Sequence, residues 1–269
     1  MSFPENFVYT KPLQLDSAGR AVRVLQARLG LEQTGNYTAS TADAVLAFQK
    51  RAGIVADGIY GPQTNAALTG RTFGAMISMA DQLGVDIHAL QAVLKVETAG
   101  SGFLDNGLPK ILLERHKVWR MSTDKQRAQL DDQNCNEQPG GYMGGLAEWG
   151  RYTQVAAVIG EAAAAACCSW GLPQIMGANY DACDAASVDE FVRAMCQNED
   201  SQLRLMAAFL HNNPRMLHAL QAQDWVEFAL AYNGPNQGKM GYATKLADAY
   251  AAATLIEPTA PYSPSDLSA

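Results

Sequence analysis

Asp86-Ile87-His88-Ala89-Leu90-Gln91-Ala92-Val93-Leu94-Lys95-Val96-Glu97-Thr98-Ala99-Gly100-Ser101-Gly102-Phe103 reads as one helix followed by a glycine-broken turn. Asp86 follows Gly84 and is placed to cap the helix. Ile87, Leu90, Val93 and Leu94 form its apolar face. Glu97 lies four residues after Val93, three after Leu94 and seven after Leu90, so it falls on that same face. Gly100 ends the helix, which puts Glu97 in the last turn. Burial and the negative end of the helix dipole both favour the protonated carboxyl. Such an acid is what cleavage of a glycosidic bond requires, because the leaving alkoxide must be protonated. The pattern equally fits a Glu that caps the helix end or pairs with a buried Arg or Lys.

Two further clusters lie downstream. Ser169-Trp170-Gly171-Leu172-Pro173-Gln174-Ile175-Met176-Gly177 is bounded by glycines and sets one amide, Gln174, among apolar residues. Ala231-Tyr232-Asn233-Gly234-Pro235 closes a helix with a ring, an amide and a turn. Sugar sites combine flat faces with amides and hydroxyls, although each cluster alone also fits a packed loop. The chain from Arg71-Thr72-Phe73 to about Leu255 is predominantly helical. Leu108 to His116 is short and apolar, with room for a strand, and Gln138 to Gly145 is a loop. The tail from Pro258 is expected to be unstructured.

The N-terminal segment repeats itself at an offset of 23 residues. Gln26 matches Gln49, Gly30 matches Gly53, Gly35 matches Gly58, Tyr37 matches Tyr60 and Thr41 matches Thr64. Each unit reads as a helix, a Gly stop, a turn and the start of another helix, with Pro62 near the first position of the third helix. The fold expected is therefore mainly α. A small three-helix bundle at 1–70 precedes an α-rich domain at 71–257 with a small β element, and the tail occupies 258–269.

Val24-Leu25-Gln26, Phe48-Gln49 and Asp57-Gly58-Ile59-Tyr60-Gly61-Pro62-Gln63-Thr64 resemble the peptidoglycan-binding domain found beside many wall hydrolases. That resemblance implies wall contacts near Gln49, Asp57, Tyr60 and Thr64. Turn chemistry alone would make Asp57, Gly58 and Pro62 only a turn and a helix start. The runs E-T-x-G-S-G-F, S-W-G-L-P-Q-I-M-G and A-Y-N-G-P resemble the lysozyme-like superfamily. The N-acetylmuramidase domain of phage endolysins is the closer match, with Glu114-Arg115-His116 and the Gly140–Gly145 loop. This implies a lysozyme-like fold and cleavage of the β-1,4 bond between N-acetylmuramic acid and N-acetylglucosamine. Glu97 aligns with the general acid, and His116, Tyr142, Ser169, Gln174, Ile175, Tyr232 and Asn233 with the substrate cleft. A hydrolase needs a second group to activate water or steady the oxocarbenium ion. Asp105, Glu114, Asp131, Asp132, Glu137 and Glu148 are candidates, and Glu114 is preferred for its place in the motif. A structural pair with Arg115 or another cation is its other reading. Lytic transglycosylases manage with one acid and leave 1,6-anhydro ends, so both outcomes stay open.

Composition bounds the rest. The net charge is −7 with pI ≈ 5.1, which disfavours nucleic acid. The first 70 residues carry six Lys+Arg against five Asp+Glu, and the remainder 14 against 22. No signal peptide opens the chain and no run is long enough to span a membrane. Synthesis in a host cytoplasm, access to the wall through a holin lesion, a monomeric state and no cofactor or metal are expected. Only four histidines exist, without a zinc-peptidase pattern, and His211 and His218 read as a solvated helix stripe. Cys167 and Cys168 end an Ala-rich helix, where the dipole opposes a thiolate, so a cysteine peptidase is disfavoured. A non-catalytic wall anchor is the remaining rival.

Overall fold

The computed structural model describes residues 12–70, 73–98, 101–104, 106–234 and 241–254, without the side chains of Ala66, Phe73, Glu97, Thr98 and Asn233. Asp105 and the tail beyond 254 therefore lie outside the described residues. Among the described residues the fold is mainly α-helical, with one short sheet and two separate apolar cores.

The first core is built by α1 (Arg20–Arg28), α2 (Ala39–Arg51) and α3 (Pro62–Thr69) around Val22, Leu25, Tyr37, Val45 and Tyr60. The repeat is visible in the hydrogen bonds. Gly30 and Gly53 both adopt positive φ after their helices. Leu31 N then donates to Gln26 O at 2.8 Å, and Ile54 N to Gln49 O at 3.1 Å, two matching Schellman closures. Inside, Gln26 Nε2 donates to Thr34 Oγ1, Asn36 O and Thr41 Oγ1, and its Oε1 accepts from Gly35 N. Gln49 does the same 23 residues on, with Asp57 Oδ1, Ile59 O, Thr64 Oγ1 and Gly58 N.

The second core is larger. Helix α5 (Ile87–Thr98) buries Leu90, Val93 and Leu94 and packs against α4 (Phe73–Leu83) and the closing helix Tyr242–Thr254. Asp86 Oδ1 accepts from His88 N at 2.7 Å, so the expected N-terminal cap is present. Strands β1 (Ile111–Leu113), β2 (Cys168–Trp170) and β3 (Ile175–Met176) form an antiparallel sheet in that order. Its register pairs Ile111 with Trp170 and Trp170 with Ile175. Those three side chains are buried on one face, and Leu112, Ser169 and Met176 lie on the other. After the short helices α6 (Arg115–Met121) and α7 (Asp124–Arg127), helices α8 (Leu146–Ile159) and α9 (Glu161–Ala166) flank the sheet, and beyond α10 (Val188–Met195) α11 (Glu199–His211) packs on α4. His211 ends α11 whereas His218 belongs to α12 (Pro214–Gln221), so the two histidines do not form a stripe on one helix.

Gly177 follows β3 at a close approach of chain to chain. A Cβ there would lie 2.2 Å from Ala165 O, the acceptor of Trp170 Nε1 at 2.9 Å. Gly177→Ala must move backbone and disturb the largest buried ring, at a cost of about 1–3 kcal/mol. Denaturant midpoints measure this, and an unchanged midpoint would contradict the close approach.

The two cores touch through Arg28. Its Nη2 donates to Cys196 O at 3.0 Å and Gly107 O at 3.3 Å, and its guanidinium lies 5.9 Å from the Phe103 ring centre. The bundle thus rests on the loop that follows α5.

Candidate active site

Glu97 is in the last turn of α5, as its spacing predicts. Its side chain, like those of Thr98 and Asn233, is not among those described. The chain around it is fixed by hydrogen bonds that join the three sequence motifs. Lys110 N donates to Gly102 O, and Gly171 N donates to Lys110 O, each at 2.8 Å. The Ser101-Gly102-Phe103 loop is thereby tied to the Trp170–Gln174 loop. Tyr232 Oη, on α13 (Trp225–Asn233), donates to Pro173 O at 2.6 Å, which brings in the third motif. Tyr232 is itself stacked on Phe228 and set edge-on to Phe209.

Two side chains that the motifs did not indicate clamp this arrangement. Glu199 Oε1 accepts from Gly102 N at 2.7 Å and Ser101 Oγ at 3.0 Å. Gln202 Oε1 accepts from Leu172 N at 2.6 Å, and its Nε2 donates to Met195 O. Both are buried in the first turns of α11. They press so close that a Cβ on Gly102 would meet Gln202 at 2.0 Å, and one on Gly171 would meet it at 2.6 Å. In the sequence, Asn198-Glu199-Asp200-Ser201-Gln202 looks like an ordinary capped helix start. Nothing local marks its long-range partners.

Gln174 is the partly exposed residue in the otherwise buried run 171–175, and it sits at φ 49, a left-handed conformation rare for a side-chain-bearing residue. Ser169 Oγ donates to its Oε1 and its Nε2 donates to Gly171 O, both at 2.8 Å. Each end of the amide is oriented by one bond, leaving one N–H and one lone pair for a ligand. Strain held in place by neighbours is a mark of functional loops. Ile175 differs from expectation. Its side chain lies with Trp170 on the core face, so it packs the sheet instead of facing a cleft.

Glu114 follows β1 and continues the face that carries Leu112 and Ser169. Tyr142 Oη donates to both of its oxygens, at 2.9 and 3.0 Å, and His116 Nδ1 lies 3.2 Å from Oε2. Burial, then the Glu114 charge, pushes the Tyr142 phenol up to about 12, so it stays a donor. Burial lowers the His116 pKa against the pull of Glu114. Arg115 does not pair with Glu114; its guanidinium donates to the carbonyls of Asp132, Gln138 and Pro139 and shapes the glycine loop.

The other carboxylates divide. Glu148 is 0% exposed, pairs with Arg151 at 2.8 Å and accepts from Leu113 N, Met143 N and Gly144 N. Every acceptor site is used inside the protein, which removes it as a candidate for activating water. Asp131 Oδ1 caps Asn134 N in an exposed turn, and Asp132 and Glu137 are exposed. In the bundle, Gln49, Tyr60 and Thr64 are buried. Asp57 is held below the usual carboxylate range by the Ile59 N–H and the Gln49 amide.

The thiols are quiet. Burial raises Cys167, Cys183 and Cys196 to about 12, and Cys168 well above its ordinary value. Cys135, Cys167, Cys168 and Cys183 are buried and should therefore react with a thiol reagent such as DTNB at pH 8 only as fast as the protein opens, while half-buried Cys196 is the one open to native attack and all five titrate after denaturation. Two or more rapid native equivalents would contradict this burial.

An α-rich core with a three-strand sheet, whose loops are stitched around a helix end, describes the lysozyme-like class of glycoside hydrolase. The N-acetylmuramidase family model matches residues 86–254, and that of a putative peptidoglycan binding domain matches residues 29–68. The crystal structure of Burkholderia AP3 phage endolysin is similar at TM-score 0.64 and 36% identity, covering 91% of this chain and 98% of that chain. No curated protein matches the chain. The chain belongs to the N-acetylmuramidase family. The peptidase and non-catalytic readings are thereby set aside. Among the described residues, no helix is long and apolar enough to cross a membrane.

Proposed function

We propose that this chain is an endolysin that hydrolyses the β-1,4 bond between N-acetylmuramic acid and N-acetylglucosamine, with Glu97 as general acid. The supporting observation is the stitching of the Gly102, Gly171–Gln174 and Tyr232 segments beside the end of α5. A general acid works only when held within hydrogen-bond reach of the leaving oxygen, and rigid neighbours supply that. Gln174 and Ser169 read hydroxyl or N-acetyl groups, and Tyr232 supports that loop from behind. The catalytic unit occupies 71–257 and the wall-binding bundle 1–70. The protein accumulates in the cytoplasm of an infected host, acts as a monomer without a cofactor, and meets the wall once a holin has opened the membrane.

Glu114 is the second carboxylate, because it is partly exposed and oriented by Tyr142 and His116, whereas Glu148 is fully engaged. Mass spectrometry of products from purified peptidoglycan tests this. Reducing N-acetylmuramic acid ends are expected, falling by about 10²-fold or more in Glu114→Gln if that group activates water. 1,6-Anhydro ends that persist in Glu114→Gln would make the enzyme a lytic transglycosylase using Glu97 alone. Free stem peptides as the only products would overturn the reading.

A further inference from the structure

The bundle holds an open cleft of about 360 Å³ between the start of α1 and the turn that follows it, lined by Gly19, Arg20, Arg23, Thr34, Gly35 and Asn36. It lies in the first repeat, away from the D-G-x-Y-G-P-x-T run. The internal repeat supplies a control for reading it. Residues 23 further on are Ala42, Asp43, Leu46, Asp57, Gly58 and Ile59. The two places are built alike: a Cβ on Gly35 would lie 3.5 Å from Gly19 O, and a Cβ on Gly58 would lie 3.5 Å from Ala42 O. Over the first glycine lies Arg23, whose Nε would be 2.9 Å from that Cβ; over the second lies Leu46, at 3.8 Å. The Gln–Thr scaffold beneath is the same in both copies, whereas the tyrosines differ, Tyr37 donating to Gly58 O and Tyr60 to Asn65 Oδ1. What differs is the lining, where Arg20 and Arg23 stand against Asp43 and Leu46.

We propose that this cleft binds a carboxylate of the peptide stems of peptidoglycan; the proposal rests on the reading of the bundle as a peptidoglycan-binding domain. Three observations carry it. Gln49, Tyr60 and Thr64 are buried and hydrogen-bonded within the bundle, and Asp57 is bound to Gln49 and Ile59, so the family's signature residues are scaffold. Among the described residues the Arg23 side chain, which lies over Gly35, makes no hydrogen bond or ion pair, and its fork of donors suits a carboxylate. The remainder of the chain carries 22 acidic against 14 basic residues and the first 70 carry five against six, so the bundle is the part least repelled by an anionic wall.

The test is co-sedimentation of the full chain with purified sacculi on ice, with folding checked by thermal melting. Arg23→Glu should weaken binding by about tenfold or more, as loss of a charge-assisted contact does. Arg51→Glu changes net charge equally on an exposed part of α2 outside the cleft, and should bind as wild type does. Glycan strands stripped of their stem peptides should be held equally by wild type and Arg23→Glu, through the catalytic unit alone. Wild-type binding by Arg23→Glu, or equal losses in both variants, overturns the cleft. Wild-type binding to stripped glycan that Arg23→Glu loses overturns the stem peptide as the source of the carboxylate. A wild type that does not sediment with intact sacculi overturns the wall-binding reading itself.

Discussion

Glu97→Gln lowers the rate of glycan cleavage by about 10²–10⁴-fold, the range a positioned proton donor contributes, while the unfolding midpoint does not fall. The amide has nearly the shape of the carboxyl but cannot release a proton to the leaving oxygen, which then departs as a costly alkoxide. The position supports an effect this large. Glu97 is in the last turn of a helix whose inner face, Leu90, Val93 and Leu94, is buried. The loop that follows is anchored at Gly102 from two sides, by Glu199 Oε1 and by Lys110 N. With Glu97 as the proposed acid, a helix end held in this way would fix it relative to the substrate, and a loose one would forfeit part of the rate. Release of reducing ends from purified peptidoglycan measures it. A variant keeping more than about a tenth of the wild-type rate would be incompatible with general-acid catalysis by this residue.

What could be read from the sequence follows the range of the interactions. The bundle was legible because its signals are local: periodic apolar residues, then Gly30 and Gly53, whose positive φ closes each helix. Helix α5 was legible for the same reason. The sheet was visible only in outline, as room for a strand before Glu114, since β2 and β3 have three and two residues and are made strands by pairing with β1. The Glu199 and Gln202 clamp was invisible because its partners lie 30 to 98 positions away.

The site residues divide in the same way. Gln174 could be singled out as an amide among apolar neighbours, but not its backbone strain. Glu114 and Glu148 looked equivalent in sequence; four converging N–H donors separate them. The internal repeat bears on the wall-binding signature. Gln26, Tyr37 and Thr41 repeat Gln49, Tyr60 and Thr64, and a residue kept in both copies of a duplicated unit more naturally serves the shared scaffold than a single ligand. The hydrogen bonds of both copies agree with that. Ile175 entered the cleft only through resemblance, and the two-residue alternation of β3 turns its side chain to the core.

Glu148→Ala destabilises the catalytic unit by about 3–5 kcal/mol, the cost of leaving a buried partner charge uncompensated. Arg151 is only 3% exposed and would keep its bonds to Leu113 O and Asn134 Oδ1 but lose its carboxylate. The backbone N–H groups of Leu113, Met143 and Gly144 would lose their acceptor together. Two of these belong to the glycine loop that presents Tyr142, so the bond from Tyr142 to Glu114 weakens with them. The double variant Glu148→Met, Arg151→Leu should recover only the part of the stability lost to the unpaired charge, and little of the activity, because an apolar pair can fill the space yet cannot hold the loop. Denaturant midpoints and limited proteolysis at residues 142–145 separate the two effects. A single variant that loses less than about 1 kcal/mol would mean that water replaces the carboxylate at little cost. The glycine loop would then owe its shape to Arg115, which holds the carbonyls of Asp132, Gln138 and Pro139 from the opposite side.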